Sequence, residues 1–69
     1  MSKTEQTLNR LPEGARSWLE LMKEDYKTLE TDVMKKEYRN MISGFVTALH
    51  RVELITEAER RLLFTWATL

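Results

Sequence analysis

The apolar segment at the C-terminal end of the chain, residues 54–69, constrains the fold more than any other feature. Glu59 follows Thr56 by three residues, which is the spacing of a capping box at the start of a helix. Large apolar residues and alanine then recur to the last position: Leu62, Leu63, Phe64, Trp66, Ala67 and Leu69. A helix this apolar needs a covering surface, so we expect it to pack inside the domain or against a partner.

The chain is short and lacks the usual covalent supports of short chains. It has 69 residues and no cysteine, so it forms at most one small domain without disulfides or a thiolate zinc site. Domains below roughly 70–80 residues then rely on regular helix packing or on oligomerisation. The length and the composition therefore leave helix packing and oligomerisation as the sources of stability.

Charge and hydropathy argue against nucleic acids and membranes as partners. Eleven basic and eleven acidic residues give no net charge, so there is no general attraction to nucleic acid or to an acidic membrane surface. Residues 1–10 do not resemble a signal peptide, and no apolar run approaches the ~20 residues that span a bilayer. We expect a cytoplasmic protein.

Two amphipathic stripes precede the C-terminal segment. The first begins after Pro12, has apolar residues at spacings of four and three, and predicts a helix over 12–30. The second predicts a helix over 32–52. Because the phase slips between the stripes, we expect a turn near Thr31-Asp32, and a single bent helix is the alternative. A third helix is expected over 56–68.

These elements predict an all-α fold, a single three-helix domain over 11–69 with a C-terminal helical hairpin and a central second helix. Residues 1–10 are expected to form a flexible arm, from which Leu8 could fold back onto the body together with Leu11. The expected core is the set of stripe residues: Ala15, Trp18, Leu19, Met22, Tyr26, Leu29, Met34, Tyr38, Met41, Ile42, Phe45, Leu49, Val52, Ile55, Leu62, Leu63, Trp66 and Leu69.

No group of residues indicates catalysis. The single histidine, His50, has no second histidine or cysteine near it, and we expect a solvated side chain at the end of its helix. The acidic residues are adjacent rather than convergent, and no phosphate loop or nucleophile–base set occurs. A body this small also leaves little room for a pocket of ~300 Å³. We expect a protein that is not an enzyme and holds no cofactor or metal.

A helix-turn-helix protein that binds nucleic acid is the alternative function. Helices two and three with their short connection have that arrangement, in which the first turn of the second helix reads bases. Here that turn carries Glu57 and Glu59, which phosphates repel. Lys35, Lys36 and Arg39 form a basic patch on the other helix, which the acidic residues Glu37 and Asp32 interrupt.

The connection between helices two and three resembles a known family. Residues 54–57 and Glu59 match the turn of the short C-terminal helical hairpin called SHOCT, which reads roughly Gly-Leu-Ile-Thr-Glu-x-Glu. Glu53 stands where that family prefers glycine, and Arg60 where it prefers phenylalanine. The resemblance covers residues 48–60 of the chain. It implies a hairpin turn and oligomerisation, and no enzymatic activity.

Six residues are the expected contacts of a protein partner. On a helical wheel Phe64 falls opposite the apolar stripe of its helix, beside Arg60 and Arg61. Gly44 and Ala48 would let another helix approach closely, and Leu69 ends the apolar segment. We therefore expect a small protein–protein interaction or regulatory module that forms a homodimer, with contacts at Gly44, Ala48, Arg60, Arg61, Phe64 and Leu69.

Overall fold

The computed structural model describes residues 2–69, which form four α-helices and no strand. The helices are α1 (Lys3–Arg10), α2 (Glu13–Thr28), α3 (Asp32–Arg51) and α4 (Glu57–Ala67). The all-α prediction is confirmed, and the predicted bounds of α2, α3 and α4 lie within one or two residues of those observed. The expected number of three helices is wrong, because the first residues form a fourth.

Helix α1 replaces the flexible arm that the composition of residues 1–10 predicts; Met1 lies outside the described residues. Ser2 caps the helix, because its hydroxyl accepts a hydrogen bond from the Glu5 backbone N–H at 3.1 Å. Leu8 and Leu11 are buried in the common core, as their apolar character suggested. Two amphipathic turns, a cap and two buried leucines are enough to fix a helix of eight residues that propensity alone would leave marginal.

A separate cap ends the continuity between α2 and α3. The backbone is extended at Leu29 and again at Thr31. The Thr31 hydroxyl accepts a hydrogen bond from the Met34 backbone N–H at 3.1 Å and so caps α3. The predicted break near Thr31 is confirmed, and the single bent helix is not what forms.

The C-terminal helix α4 packs against all three other helices. We expected α3 to be the central helix of the domain, but α4 takes that place. Its buried residues Leu63 and Ala67 join a single cluster of apolar side chains from every helix and from the α1–α2 and α3–α4 connections: Leu8, Leu11, Leu19, Met22, Tyr26, Ile42, Val46, Leu49, Ile55, Leu63 and Ala67. The apolar C-terminal segment, residues 54–69, is therefore covered largely by its own chain.

A lysine from α2 holds the C-terminal end of α4. The Lys23 ammonium group donates a hydrogen bond to the Trp66 carbonyl oxygen at 2.6 Å and lies 4.7 Å from the centre of the Trp66 ring. The last turn of α4 has no basic residue of its own, so Lys23 supplies the cation that the negative end of the helix dipole favours.

The connection between α3 and α4 is a Schellman turn. The Leu54 N–H donates to the Leu49 carbonyl, and the Glu53 N–H donates to the His50 carbonyl, each at 3.0 Å. Glu53 has a φ of 63°, the left-handed conformation that this turn requires. His50 is half-buried, and its Nδ1 lies 3.1 Å from the Ile55 carbonyl oxygen. The expectation of a solvated His50 is wrong, because its ring bridges the turn.

The capping box predicted at the start of α4 is present. The Thr56 hydroxyl accepts from the Glu59 N–H at 3.1 Å, and a Glu59 carboxylate oxygen accepts from the Thr56 N–H at 2.8 Å. The other Glu59 oxygen accepts a hydrogen bond from the Thr7 hydroxyl at 3.3 Å and pairs with Arg10. Glu59 therefore starts α4 and also anchors α1.

Candidate protein interaction surface

Helix α3 carries two adjacent apolar rows, and only one of them faces the core. Ile42, Val46 and Leu49 form the inner row and are buried. The outer row recurs at spacings that alternate between four and three: Met34, Tyr38, Met41, Phe45, Ala48 and Val52. Tyr38 and Phe45 lie between the rows and are half-buried, whereas the other four are exposed.

Much of this outer row was expected in the core, and the structure leaves it outside. Met41 is 43% exposed and Val52 is 65% exposed. The physical reason is that α2 and α4 together cover only one side of α3, so the broad stripe of the sequence exceeds the surface that the chain can cover. Val46, which was not expected in the core, is buried instead.

The exposed apolar surface continues from α3 onto α2. The Tyr38 hydroxyl donates a hydrogen bond to an Asp25 carboxylate oxygen at 2.9 Å, so the edge of α2 that carries Asp25 adjoins the outer row. Trp18 and Leu21 share that edge with Asp25 at helical spacing, and they are 46% and 49% exposed. Trp18 was expected in the core and lies at its border instead. We define the open face as seven exposed residues along this edge of α2 and the outer side of α3: Trp18, Leu21, Met34, Met41, Gly44, Ala48 and Val52.

Gly44 sits in the open face without any structural need for glycine. It lies within a helix of 20 residues and is exposed, and a Cβ atom added there would meet no atom within 4 Å. Its φ is not positive. Glycine inside a helix costs about 1 kcal/mol relative to alanine. No contact within residues 2–69 offsets that cost.

Two charged residues on α3 that were not expected as contacts flank Gly44. Glu37 lies seven residues before it and Arg51 seven residues after it, which places all three on one line along the helix, two turns apart in each direction. Both side chains are exposed, and neither forms an ion pair or side-chain hydrogen bond within the described chain, residues 2–69. Their equal spacing on either side of Gly44 is the feature of the sequence from which these two residues could have been predicted as contacts.

The predicted contacts on α4 form a different and less apolar surface. The Arg60 guanidinium donates to both Glu57 carboxylate oxygens, with Nη2 at 2.8 Å from Oε2, and Arg61 lies 4.0 Å from the same carboxylate. The hydrogen bond from Arg60 lowers the pKa of Glu57 and raises the pKa of Arg60. Both arginines pair with Glu57 on α4, whereas Gly44 and Ala48 belong to α3.

Phe64 does not project into solvent as its wheel position predicts. It is half-buried and packs against the core cluster. The reason is that α4 has neighbours in three directions, so the side opposite its main stripe is also partly covered. Leu69 follows the helix and is 75% exposed.

Part of the basic patch of α3 is engaged within the chain. Arg39 donates to the Tyr26 hydroxyl at 2.9 Å, and the Lys35 ammonium lies 5.8 Å from the centre of the Tyr26 ring. Of the three basic side chains considered for nucleic acid, two are therefore directed at α2.

A groove of about 410 Å³ lies between α1 and α4, lined by Lys3, Gln6, Arg10 and Glu59 among others. It is larger than we expected for so small a body. Glu59, its acidic residue, is already engaged by Thr56 and α1, so it serves the structure. Within residues 2–69, no group of three or more His, Cys, Asp or Glu side chains is placed to hold a metal ion.

Over the described residues, every helix is too short or too polar to cross a bilayer. The comparisons with known proteins return no match: no protein-family model, no curated protein and no solved structure is significantly similar to this chain.

Proposed function

We propose that this protein is a small non-enzymatic protein–protein interaction module that associates with itself through the open face. The observation that carries the proposal is an exposed apolar row along the longest helix, beside a mid-helix glycine that no contact within residues 2–69 requires. Exposed apolar patches of this kind mark contact surfaces in proteins.

The dimensions of the face suit an interface between two small chains. Helix α3 has 20 residues, so it is about 30 Å long. A standard interface buries ~800 Å² on each partner, and the chain exposes 4744 Å² in total. Trp18 and Leu21 add area beside the helix, and aromatic and methionine side chains are enriched in such contacts. The resemblance of residues 48–60 to an oligomerising hairpin points in the same direction.

A matched pair of substitutions tests the open face against the surface on α4. Met41→Glu places a carboxylate in the middle of the open face. Thr65→Glu places the same group on an exposed position of α4, beside Phe64 and close to Arg61. Burying an unpaired charge is costly. Whichever of the two substitutions lies in the interface should therefore weaken association far more than the one that lies outside it.

The measurement is sedimentation equilibrium of the complete chain at about 100 μM, a concentration at which even weak pairs associate. We expect a dimer for the unsubstituted protein and for Thr65→Glu, and a monomer for Met41→Glu with unchanged helical circular dichroism. The mass of one chain for the unsubstituted protein contradicts self-association. A monomer for Thr65→Glu alone moves the contact to α4.

A further inference from the structure

We propose that the second copy lies antiparallel on α3, with a two-fold axis beside Gly44 and with Glu37 of each copy facing Arg51 of its partner. This arrangement rests on the proposed function, because it specifies how two open faces meet. Its elements are the position of Gly44, the two unpaired charges, and the outer apolar row.

The charges select the direction of the second helix. In an antiparallel pair with Gly44 opposite Gly44, a residue seven positions before the glycine faces a residue seven positions after it. Glu37 then faces Arg51 twice in the dimer, once on each side of the axis. In a parallel pair in register, Glu37 faces Glu37 and Arg51 faces Arg51, and like charges at such positions oppose association. Only the antiparallel pair satisfies all four charges.

The apolar residues around the axis are complementary in size in the same arrangement. Positions 41 and 48 lie almost equally far from Gly44 on either side, so Met41 of one copy lies beside Ala48 of the other. A long flexible side chain thus packs over a small one, twice. Glycine at the crossing lets the two helix axes approach closely, since packed axes lie 8–10 Å apart depending on the side chains at the contact. In the dimer the close approach of the two helices explains the glycine at position 44, whereas nothing in the single chain explains it.

Charge exchange between positions 37 and 51 tests the pairing. Glu37→Arg or Arg51→Glu alone replaces two attractions in the dimer with two repulsions, and we expect each to raise the dimer Kd about tenfold. The double variant Glu37→Arg with Arg51→Glu restores opposite charges across the axis, so its Kd should return to near that of the unsubstituted protein. All variants keep exposed side chains on α3, and circular dichroism checks that the helix is intact.

Single cysteines test the axis independently, because the chain contains no cysteine. A disulfide forms only where two Cα atoms come within about 7 Å. Gly44→Cys should form a disulfide-linked dimer on mild oxidation. Met34→Cys should not, because two copies of position 34 lie ~30 Å apart along antiparallel helices, given a rise of 1.5 Å per residue.

The outcomes separate this arrangement from the proposed function. Cross-linking of Met34→Cys, or a double charge variant as weak as the single ones, overturns the antiparallel pairing while a dimer sensitive to Met41→Glu still supports the open face. Failure of Gly44→Cys to cross-link overturns the close crossing at Gly44. A monomeric unsubstituted protein at about 100 μM overturns both proposals.

Discussion

Replacing Glu53 with glycine should stabilise the protein, because Glu53 holds a backbone conformation that glycine adopts without steric cost. Its φ is 63°, and it is the only described residue other than glycine with a positive φ. The conformation is imposed by the Schellman turn, in which the backbone N–H groups of Glu53 and Leu54 close onto the end of α3. The Glu53 side chain forms no hydrogen bond or ion pair within residues 2–69 that the substitution would remove.

The expected gain follows from two opposing terms. A residue with a Cβ atom pays about 1–2 kcal/mol in the left-handed region, and glycine does not. Glycine also has more freedom in the unfolded chain, which removes about 0.4–1 kcal/mol of that advantage. The net increase in the free energy of unfolding is therefore about 0.5–1 kcal/mol. For a domain of this size, 1 kcal/mol shifts the thermal midpoint by about 4–8 °C, so we expect a rise of a few degrees.

Thermal and urea unfolding followed by circular dichroism measure the change, at one protein concentration for all variants because dimerisation couples stability to concentration. Glu53→Ala is the matched control, since it removes the same carboxylate and keeps the Cβ atom. It should give no comparable gain. The reasoning is refuted if Glu53→Gly unfolds at or below the midpoint of the unsubstituted protein. An equal gain for Glu53→Ala would assign the effect to charge instead of backbone conformation.

Two further predictions concern side chains that join helices. Glu59→Ala removes the acceptor of the Thr56 N–H and of the Thr7 hydroxyl, and should lower the free energy of unfolding by about 2 kcal/mol in urea titration. Glu59→Gln keeps an oxygen that accepts from the Thr56 N–H, and its NH2 group can donate to the Thr7 hydroxyl oxygen, whose own proton then goes to the Lys3 carbonyl. It loses the ion pair with the largely exposed Arg10, so it should cost under ~1 kcal/mol. Equal losses for the two variants would show that the charge dominates. Burial and the hydrogen bond to Asp25 raise the pKa of Tyr38 above its ordinary value. As the pH rises, the unfolded chain therefore loses the Tyr38 proton before the folded chain does. The stability supplied by neutral Tyr38 is complete below about pH 10 and declines above it. Urea midpoints measured between neutral and alkaline pH should therefore fall more steeply for the unsubstituted protein than for Tyr38→Phe, and parallel curves would contradict this.

Local features of the sequence were enough to locate α2, α3 and α4. Their bounds follow from the capping residues and from the period of the apolar residues. Each of these features depends only on residues that are close together along the chain. The capping box of Thr56 and Glu59 and the break at Thr31 were predictable for this reason. Helix α1 was not, because its stability depends on the burial of Leu8 and Leu11 against distant helices, and a short polar helix carries little signal of its own.

The candidate surface was predictable only in part. Gly44 and Ala48 were expected as contacts from their spacing, and both lie in the open face; their role as contacts remains a prediction. Met41 and Trp18 were assigned to the core, since an apolar stripe does not reveal how much of its width the rest of the chain can cover. The wheel position of Phe64 was equally misleading, because a wheel describes one helix and α4 has neighbours on three sides.

The sequence by itself determined which segments are helical, where three of them begin and end, and that α3 has more apolar surface than a single row needs. These properties depend on hydrogen bonds and side-chain spacing within one segment. The tertiary structure decided which of the two apolar rows of α3 is buried, that the residues before Leu11 fold onto α4, and that Glu53 takes the left-handed conformation of the turn. Those outcomes depend on how the four helices share a limited core. The spacing of residues along one helix carries no information about that sharing.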